Sequence, residues 1–128
     1  MNEAVADASV VVDVLTGATD PEALGLTGTR LHAPHLLDIE VASALRSLVR
    51  RALIESTVAS RGLEALASIV PHRYSHELLL PRIWELRHAL SAYDATYVAL
   101  AELLGTPLVT ADRRIAAASG VRCRIVVA

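Results

Sequence analysis

Short apolar runs alternate with longer segments of helical periodicity along the whole chain. The short runs predict strands that end near Asp7 or span residues 30–33, 70–74, 107–110 and 122–127. The periodic segments predict helices before Gly17 and at residues 21–26, 36–53, 56–69, 79–90, 94–104 and 111–118. Strands that alternate with helices are typical of a parallel sheet with helices on both faces. We therefore expect a single α/β domain that covers residues 1–128.

Residues 91–112 carry the clearest structural signals in the chain. Asp94 opens a helix that has no polar stripe, and such a helix is mostly buried. We therefore expect Asp94 among apolar neighbours, where a carboxylate needs a partner. Gly105 ends this helix and Pro107 prevents its continuation, so a short strand follows. Asp112 then lies just past the carboxyl end of that strand, where open α/β sheets build ligand sites.

Asp7 allows two interpretations. One long strand that continued through the valines at 10–12 would bury the acid in its middle. If a strand instead ends near Asp7 and a helix capped by Asp7 or Ser9 follows, the acid lies at the end of a strand, as Asp112 does. We prefer the second interpretation, because burial of a helix overrides the low helix propensity of valine.

Glu40 lies within the predicted helix at residues 36–53. The side of the helix that it shares consists of apolar or small residues, namely Leu36, Leu37, Ser43, Ala44 and Ser47. Glu40 is therefore expected to face inward or into a cleft. We interpret most of the other acids, Glu102 among them, as solvated or capping residues.

Composition narrows the possible chemistry. All 12 basic residues are arginine, so mechanisms that need a lysine are excluded. Receiver domains and haloacid-dehalogenase-like phosphatases also gather acids at this end of a sheet, but both rely on a lysine. The net charge of -2 gives no basic signature, and Cys123, the only cysteine, excludes disulfides and thiolate zinc sites. Because the apolar runs are short and no signal peptide is visible, we expect a soluble, cytoplasmic protein without membrane contact.

Four acids have apolar or small neighbours: Asp7, Glu40, Asp94 and Asp112. One hypothesis is that they cap helices, a role open to all of them except Glu40. The other is that they converge at one end of the sheet, where a hard cation with oxygen ligands, Mg²⁺ or Mn²⁺, relieves their repulsion. Such a site suits phosphoryl chemistry, because the cation lowers the pKa of a bound water and stabilises the leaving oxygen.

The segments that hold these acids resemble the PIN-domain ribonucleases, and more closely the VapC-type toxins of bacterial toxin-antitoxin pairs. The resemblance covers essentially the whole chain and rests on VADASVVV (5–12), PHLLDIEVASALR (34–46), WELR (84–87), AYDATYVALAE (92–102) and LVTADRRI (108–115). The chain departs from many relatives at Ala89, where they have asparagine.

The resemblance implies a three-layer α/β/α fold with a central parallel sheet. It also implies an Mg²⁺- or Mn²⁺-dependent endoribonuclease that is inhibited by a cognate VapB-type antitoxin. By position, Asp7 and Asp94 match the main metal ligands of the family, Glu40 matches its helical acid, and Asp112 matches the acid that completes or supports the site.

Further expectations concern the surroundings of the acids. Ser9 and Thr110 match hydroxyl positions beside them in the family. Arg46, Arg50 and Arg51 follow the helical acid on its helix, where they either hold an RNA backbone or form an ordinary solvated face. We also expect a homodimer. The alternative function is that of a catalytically silent PIN-like binding module, but the retention of all four acids favours the enzyme.

Overall fold

In the computed structural model, which describes Met1 to Ala128, five parallel strands form one sheet in the order β3-β2-β1-β4-β5. The strands are β1 (Glu3–Ala6), β2 (Arg30–Pro34), β3 (His72–Tyr74), β4 (Leu108–Thr110) and β5 (Ile125–Val127). The helices are α1 (Ala8–Leu15), α2 (Leu36–Arg50), α3 (Ser56–Ile69), α4 (Leu80–Glu85), α5 (Ala92–Leu104) and α6 (Arg113–Ala117), with a 3₁₀ helix at Glu77–Leu79 before α4. The predicted α/β/α architecture with a central parallel sheet is confirmed.

The strand order creates a switch point beside the central strand β1. Val5 of β1 pairs with His32 of β2 on one side and with Leu108 of β4 on the other. The chain builds outward through β2 and β3 first and through β4 and β5 afterwards, so its direction across the sheet reverses between β1 and β4. Ligands of open α/β sheets bind outside the carboxyl ends of the strands at such a point. Asp7 follows β1 and Asp112 follows β4 at this point.

The most buried helix is α5, which packs against β1, β2 and β4. All residues from 95 to 101 are buried. Ser91 caps its beginning, and Gly105 ends it with a φ of 65° in the left-handed region. The N–H groups of Gly105 and Thr106 donate to carbonyls in the last turn, which satisfies the free end of the helix. The predicted buried helix, its end at Gly105 and the strand that follows are confirmed.

The segment after β1 is a helix despite its run of valines. Asp7 caps α1, and its carboxylate accepts a hydrogen bond from the N–H of Val10 at 3.3 Å. Val10, Val11 and Val12 are all buried, and α1 packs against α2, α3 and β4. Burial therefore outweighs the low helix propensity of valine. The interpretation in which a strand ends near Asp7 is confirmed, and the single long strand is wrong.

Three predicted helices are wrong in extent or existence. Residues 21–25 form turns, because so short a segment does not offset the cost of helix nucleation and Gly25 adopts a φ of 70°. α2 ends at Arg50 rather than at residue 53, and Ala52 beyond it has a positive φ. α4 ends at Glu85 rather than at residue 90, and tight turns follow it.

The two longest helices, α2 and α3, are amphipathic, with 15 and 14 residues. α2 buries Leu37, Val41 and Leu45 against the rest of the molecule. None of the helices combines the length and the apolar character needed to cross a membrane.

Candidate metal centre

Asp7 is the only carboxylate among the buried residues, with 6% of its surface exposed. One oxygen, Oδ1, accepts hydrogen bonds from Ser9 Oγ at 2.5 Å and from the N–H of Val10. The other, Oδ2, accepts from the hydroxyl of Thr110. These donors fill three of the roughly four lone-pair positions of a carboxylate, so Oδ2 retains capacity for one more ligand.

The two hydroxyls also connect Asp7 to the segment that follows β4. Ser9 Oγ accepts a hydrogen bond from the N–H of Ala111 at 3.1 Å, and Thr110 Oγ1 accepts one from the N–H of Asp112 at 3.0 Å. The backbone after β4 therefore fixes the orientation of both hydroxyls and, through them, of Asp7. Ser9 and Thr110 do lie beside this acid, and their supporting role in the reaction stays a prediction.

Glu40 reaches the same region from α2. Its side chain is half-buried, and its Oε1 accepts a hydrogen bond of 2.5 Å from the phenol of Tyr97 on α5. Its Oε2 accepts no hydrogen bond from the chain. The inward orientation predicted from the helical wheel is therefore correct, and one carboxylate oxygen remains available.

Asp94 lies in the first turn of α5 and is also half-buried. The N-cap of this helix is Ser91, whose hydroxyl accepts a hydrogen bond from the N–H of Asp94 at 3.1 Å. The carboxylate of Asp94 takes part in no ion pair. Asp94 is therefore not the N-cap of its helix, whereas Asp7 and Asp112 do cap α1 and α6, and the role of Asp94 as a metal ligand stays a prediction.

Asp112 is placed differently from the other three acids. Its carboxylate caps α6 by accepting a hydrogen bond from the N–H of Arg114. It also forms a bidentate ion pair with the Arg114 guanidinium, with Oδ2 to Nη2 at 2.7 Å and Oδ1 to Nε at 3.1 Å. The Arg114 guanidinium holds the pKa of Asp112 below its usual range. Asp112 is connected to Asp7 only through Thr110. Its place in a metal site stays a prediction.

The three inner acids share one electrostatic environment. Burial raises the pKa of Asp7, and the charge of Asp94 adds to this rise although hydrogen bonds from Ser9, Thr110 and Val10 oppose it. Burial likewise raises the pKa of Glu40, and both Asp94 and Asp7 raise it further against the hydrogen bond from the phenol. No arginine lowers either value. The acids therefore repel one another, and Arg114, which feels the charge of Asp94, is already held in an ion pair by Asp112.

This donor set fits a hard divalent cation, because such cations prefer carboxylate oxygens and neutralise clustered negative charge. Asp7, Glu40 and Asp94 are the residues that could hold it. No three His, Cys, Asp or Glu side chains in the chain close into a ready-made coordination shell.

The two arginines of α2, Arg46 and Arg50, and Arg51 just beyond its end face different grooves. Arg46 and Arg50 line a groove of about 320 Å³ between α2 and α3, on the side of α2 away from the acids. Arg51 lines a groove of about 350 Å³ between α1 and α2 that also includes Ser9. Of the three, only Arg51 shares a surface with the hydroxyls around Asp7.

Sequence reasoning missed two residues that matter here. Tyr97 was not among the candidate site residues, yet its hydroxyl contacts Glu40. Its spacing of one helical turn from Asp94 was an available signal. Glu102 was expected to be solvated, yet it accepts two hydrogen bonds from Arg82, at 2.6 and 3.2 Å, and one from the N–H of Arg122. No local pattern indicates that pairing, because Arg82 lies on another helix.

Comparison with known sequences and structures gives consistent results. Residues 4–121 match the sequence model of the PIN domain. The chain is 45% identical to Ribonuclease VapC1 of Mycobacterium tuberculosis over 98% of this chain and 97% of that protein. It is 42% identical to VapC ribonuclease Mb0985 of Mycobacterium bovis over 96% of each chain.

Two solved structures have a similar fold. The crystal structure of PAE2754 from Pyrobaculum aerophilum superposes with a TM-score of 0.71 at 26% identity, covering 97% of this chain and 83% of that one. The crystal structure of VapBC2 from Rickettsia felis, bound to a DNA fragment from their promoter, superposes with a TM-score of 0.70 over 97% of this chain and 98% of that one. The identity in the second case is 10%, so that likeness concerns the fold alone.

Proposed function

The chain belongs to the PIN-domain family and is a relative of the VapC ribonucleases, and we propose that it hydrolyses RNA internally with Mg²⁺ or Mn²⁺ as the toxin of a toxin-antitoxin pair. Family membership supports the ribonuclease activity. The choice of metal, the residues that bind it and the inhibitory partner are the parts of the proposal that experiment must test.

One observation carries the metal dependence. Asp7, Glu40 and Asp94 come from the end of β1, from α2 and from α5, yet the charge of Asp94 raises the pKa values of the other two. The one arginine that feels the charge of Asp94, Arg114, is already bound by Asp112. Three elements that are distant in sequence thus bring negative charge to the switch point of the sheet. A buried charge without an opposite partner destabilises a fold, so stability alone does not account for this cluster of acids.

The residues of the chain prepare this site for an RNA phosphodiester. Ser9 and Thr110 fix Asp7 so that Oδ2 remains available, and Glu40 retains one oxygen without a partner. When bound, a divalent cation would supply Lewis acidity toward the phosphate and lower the pKa of a bound water. Asp112 stays charged beside Arg114, and it would join the site only if a bound cation drew it away from that ion pair.

The direct test is cleavage of RNA by the purified protein. We expect cleavage with Mg²⁺ or Mn²⁺ and none with excess chelator, and we expect Asp7→Asn and Glu40→Gln to lose it. Asp38→Asn is the matched control for Glu40, because Asp38 lies on the same helix but is exposed and paired with Arg73 at 3.0 Å. Cleavage that persists undiminished in chelator would overturn the metal dependence.

A catalytically silent binding module remains the second candidate. It is favoured by the ion pair between Asp112 and Arg114, which occupies the fourth acid, and by the open spacing of the other three. A protein of this kind would bind RNA or its partner but cleave nothing with any divalent cation. Turnover that depends on Asp7 and Asp94 separates the two functions.

We further propose that a VapB-type antitoxin inhibits the protein by inserting an arginine among the acids. Arginine suits this role because it binds carboxylates with two hydrogen bonds. Two exposed apolar side chains adjoin the acids in sequence, Ile39 beside Glu40 and Tyr93 beside Asp94. Ile39→Asp should therefore weaken antitoxin binding and leave RNA cleavage unchanged. An antitoxin that leaves metal binding and cleavage unaffected would refute this mode of inhibition.

A homodimer is also proposed, supported by apolar side chains that α4 and α5 expose. Leu80, Trp84 and Leu103 are exposed by 53%, 67% and 61%. Surfaces of this kind commonly mark protein contacts. Analytical ultracentrifugation should show a dimer that Trp84→Ser weakens, and a monomer at all concentrations would contradict the proposal.

We assign RNA backbone contact to Arg51, just beyond α2, in preference to Arg46 and Arg50 within it. Its groove includes Ser9, which touches Asp7, whereas Arg46 and Arg50 line the groove that faces away from the acids. Arg51→Ala should weaken RNA binding and reduce its dependence on salt concentration, because phosphate contacts release counterions. Arg50→Ala is the control, because this neighbouring arginine lines the groove between α2 and α3 instead.

A further inference from the structure

We propose that Tyr97 is a positioning residue of the metal centre, whose phenol fixes the Glu40 carboxylate in the orientation that binds the divalent cation. This inference rests on the proposed function of the site. It assigns a second task to α5, which then carries one acid of the centre and also orients an acid that comes from another helix.

The geometry around the phenol makes Tyr97 a fixed point. Tyr97 is the largest fully buried side chain of the protein, and it belongs to the hydrophobic core. Its hydroxyl donates a hydrogen bond of 2.5 Å to Oε1 of Glu40, 57 residues away in sequence. A buried tyrosine needs such a partner, and a ring confined by packing has little freedom to move its hydroxyl elsewhere.

Glu40 is the flexible member of the pair. It is half-buried at the edge of α2, and a glutamate has three side-chain torsions to restrain. The hydrogen bond from Tyr97 engages Oε1 and leaves Oε2 without a donor from the chain. The phenol therefore reduces the rotamers open to the carboxylate and keeps one oxygen available as a ligand.

The spacing along α5 explains why one helix can do both tasks. Tyr97 follows Asp94 by three residues, so the two side chains project from the same face of the helix. Both contribute to the electrostatic environment of Glu40. A shift of α5 would move the Asp94 carboxylate and the support of Glu40 together, which keeps the two acids in register.

A purely structural bond between α2 and α5 is the competing explanation. In that case the hydrogen bond would stabilise the fold, and its loss would leave the affinity for metal unchanged. If Tyr97 acts through Glu40, its loss weakens metal binding, and it does so only while Glu40 can bind the metal. Residues that orient metal ligands from outside typically contribute about 10- to 100-fold in affinity.

The test is a double-mutant cycle on Mn²⁺ affinity, measured by calorimetry on the full chain without RNA. We expect Tyr97→Phe, which keeps the buried ring, to weaken Mn²⁺ binding by about 10-fold or more. The same substitution in a Glu40→Gln background should add no further loss. Tyr74→Phe is the matched control, because it removes a phenol that bonds to His32 at 2.7 Å on a different edge of the sheet.

Other results of the cycle would overturn either this inference or the proposed function. Equal Mn²⁺ affinity of Tyr97→Phe and the unaltered protein overturns the inference, as does an equal loss in the presence and absence of the Glu40 carboxylate. Glu40→Gln with unchanged affinity also overturns it, although the proposed function stands if Asp7→Asn and Asp94→Asn still lose binding. Absence of Mn²⁺ binding by the unaltered, folded protein instead refutes the proposed function itself.

A measurement on the unaltered protein guards against a Tyr97→Phe variant that fails to fold. The chain has 3 tyrosines, so ¹³C labelling at the phenol carbon gives a simple NMR spectrum. Titration with Mg²⁺, which is diamagnetic, should shift the Tyr97 signal and leave that of Tyr74 in place. A Tyr97 signal that does not move at saturating Mg²⁺ overturns the inference.

Discussion

The acids at the two ends of α5 have opposite electrostatic surroundings. Near its C-terminal end, Glu102 is held by Arg82, whose guanidinium also donates to the carbonyl of Gly120 at 2.5 Å. Burial alone would raise the pKa of Glu102, but the hydrogen bonds from Arg82 and from the N–H of Arg122 hold it below its usual range. This acid is fully paired and joins α5 to α4 and to the segment before β5.

At the beginning of α5 the acids form no direct ion pair with an arginine, and Arg114, which feels the charge of Asp94, is bound by Asp112. Asp94 forms no ion pair, and the pKa values of its neighbours Asp7 and Glu40 are raised, first by burial. Stability alone favours the arrangement at Glu102, in which each buried charge meets an opposite one. An acid that the fold holds without an ion pair is therefore the better candidate for function, whereas burial by itself does not distinguish the two acids.

The largest expected effect of this difference concerns catalysis. Asp94→Asn should reduce RNA cleavage by well over the roughly 10- to 100-fold that outer-shell residues contribute, because it removes a proposed ligand itself. Glu102→Gln, at the other end of the same helix, should leave the rate per folded molecule unchanged. The measurement is single-turnover cleavage at saturating Mn²⁺. Equal losses of cleavage rate in the two variants would show that the acids at the two ends of α5 do not differ in function.

The next largest effect is on stability, and here the substitution of Glu102 rather than that of Asp94 is expected to be harmful. Glu102→Gln should lower the free energy of unfolding by about 1–2 kcal/mol, because Arg82 loses charge-assisted hydrogen bonds that are only partly exposed to solvent. Urea unfolding of metal-free protein measures it. Arg82→Gln should cost a similar amount, and a negligible effect of both substitutions would show that the pairing contributes little.

A smaller effect appears in the pH dependence of metal-free stability. Asp7 and Glu40 have raised pKa values in the folded state, which therefore binds their protons more tightly than the unfolded chain. Their favourable contribution is present at low pH and is lost as the pH rises from about 4 through the raised values. Asp7→Asn should accordingly gain stability relative to the unaltered protein as the pH rises toward 7.

Glu102 provides the opposite sign in the same experiment. Its pKa is lowered on folding, so its contribution is present above the unfolded value and is lost as the pH falls through the folded value. The difference between the unaltered protein and Glu102→Gln should therefore shrink in acid. Parallel pH profiles for Asp7→Asn and Glu102→Gln, measured by urea unfolding, would contradict the contrast.

The smallest expected effect is that of blocking the Cys123 thiol. Burial raises the pKa of Cys123 to about 11, so its thiol is protonated and slow to react at pH 7. Cys123 lies beside Glu102 in a surface cavity, remote from the acids at the switch point. Alkylation under forcing conditions should leave cleavage unchanged while the fold is intact. Activity that disappears with alkylation of folded protein would indicate different chemistry.

The sequence predicts the parts of the fold that depend on local rules. Gly105 in the left-handed region and Pro107 define where α5 ends and β4 begins, so both boundaries follow from residue type. Asp7 is recognisable as an N-cap for the same reason. The turns at residues 21–25 were mistaken for a helix, because a proline and an acid suggest a helix start but do not provide the length that a stable helix needs.

The pairing of side chains across the fold is the part that sequence does not predict. Asp7, Glu40 and Asp94 were identified from their apolar neighbours and from the family resemblance. The bond from Tyr97 to Glu40, and that from Arg82 to Glu102, join different helices. Such contacts depend on how helices are placed on the sheet, and no periodicity within one helix encodes the residue that faces it from another.

We propose above all that the acids near the beginning of α5 repel one another and that a bound divalent cation relieves this repulsion. Two carboxylates about 4 Å apart repel by up to about 4 kcal/mol at an effective dielectric of 20, and wider spacing or protonation reduces this. Asp94→Asn removes one charge at nearly constant shape. The decisive measurement is the melting temperature of this variant and of the unaltered protein, each in chelator and in excess Mn²⁺. We predict that Asp94→Asn melts higher in chelator and loses the Mn²⁺-dependent rise. A variant that keeps the full Mn²⁺ shift would remove Asp94 from the metal site and contradict the claim.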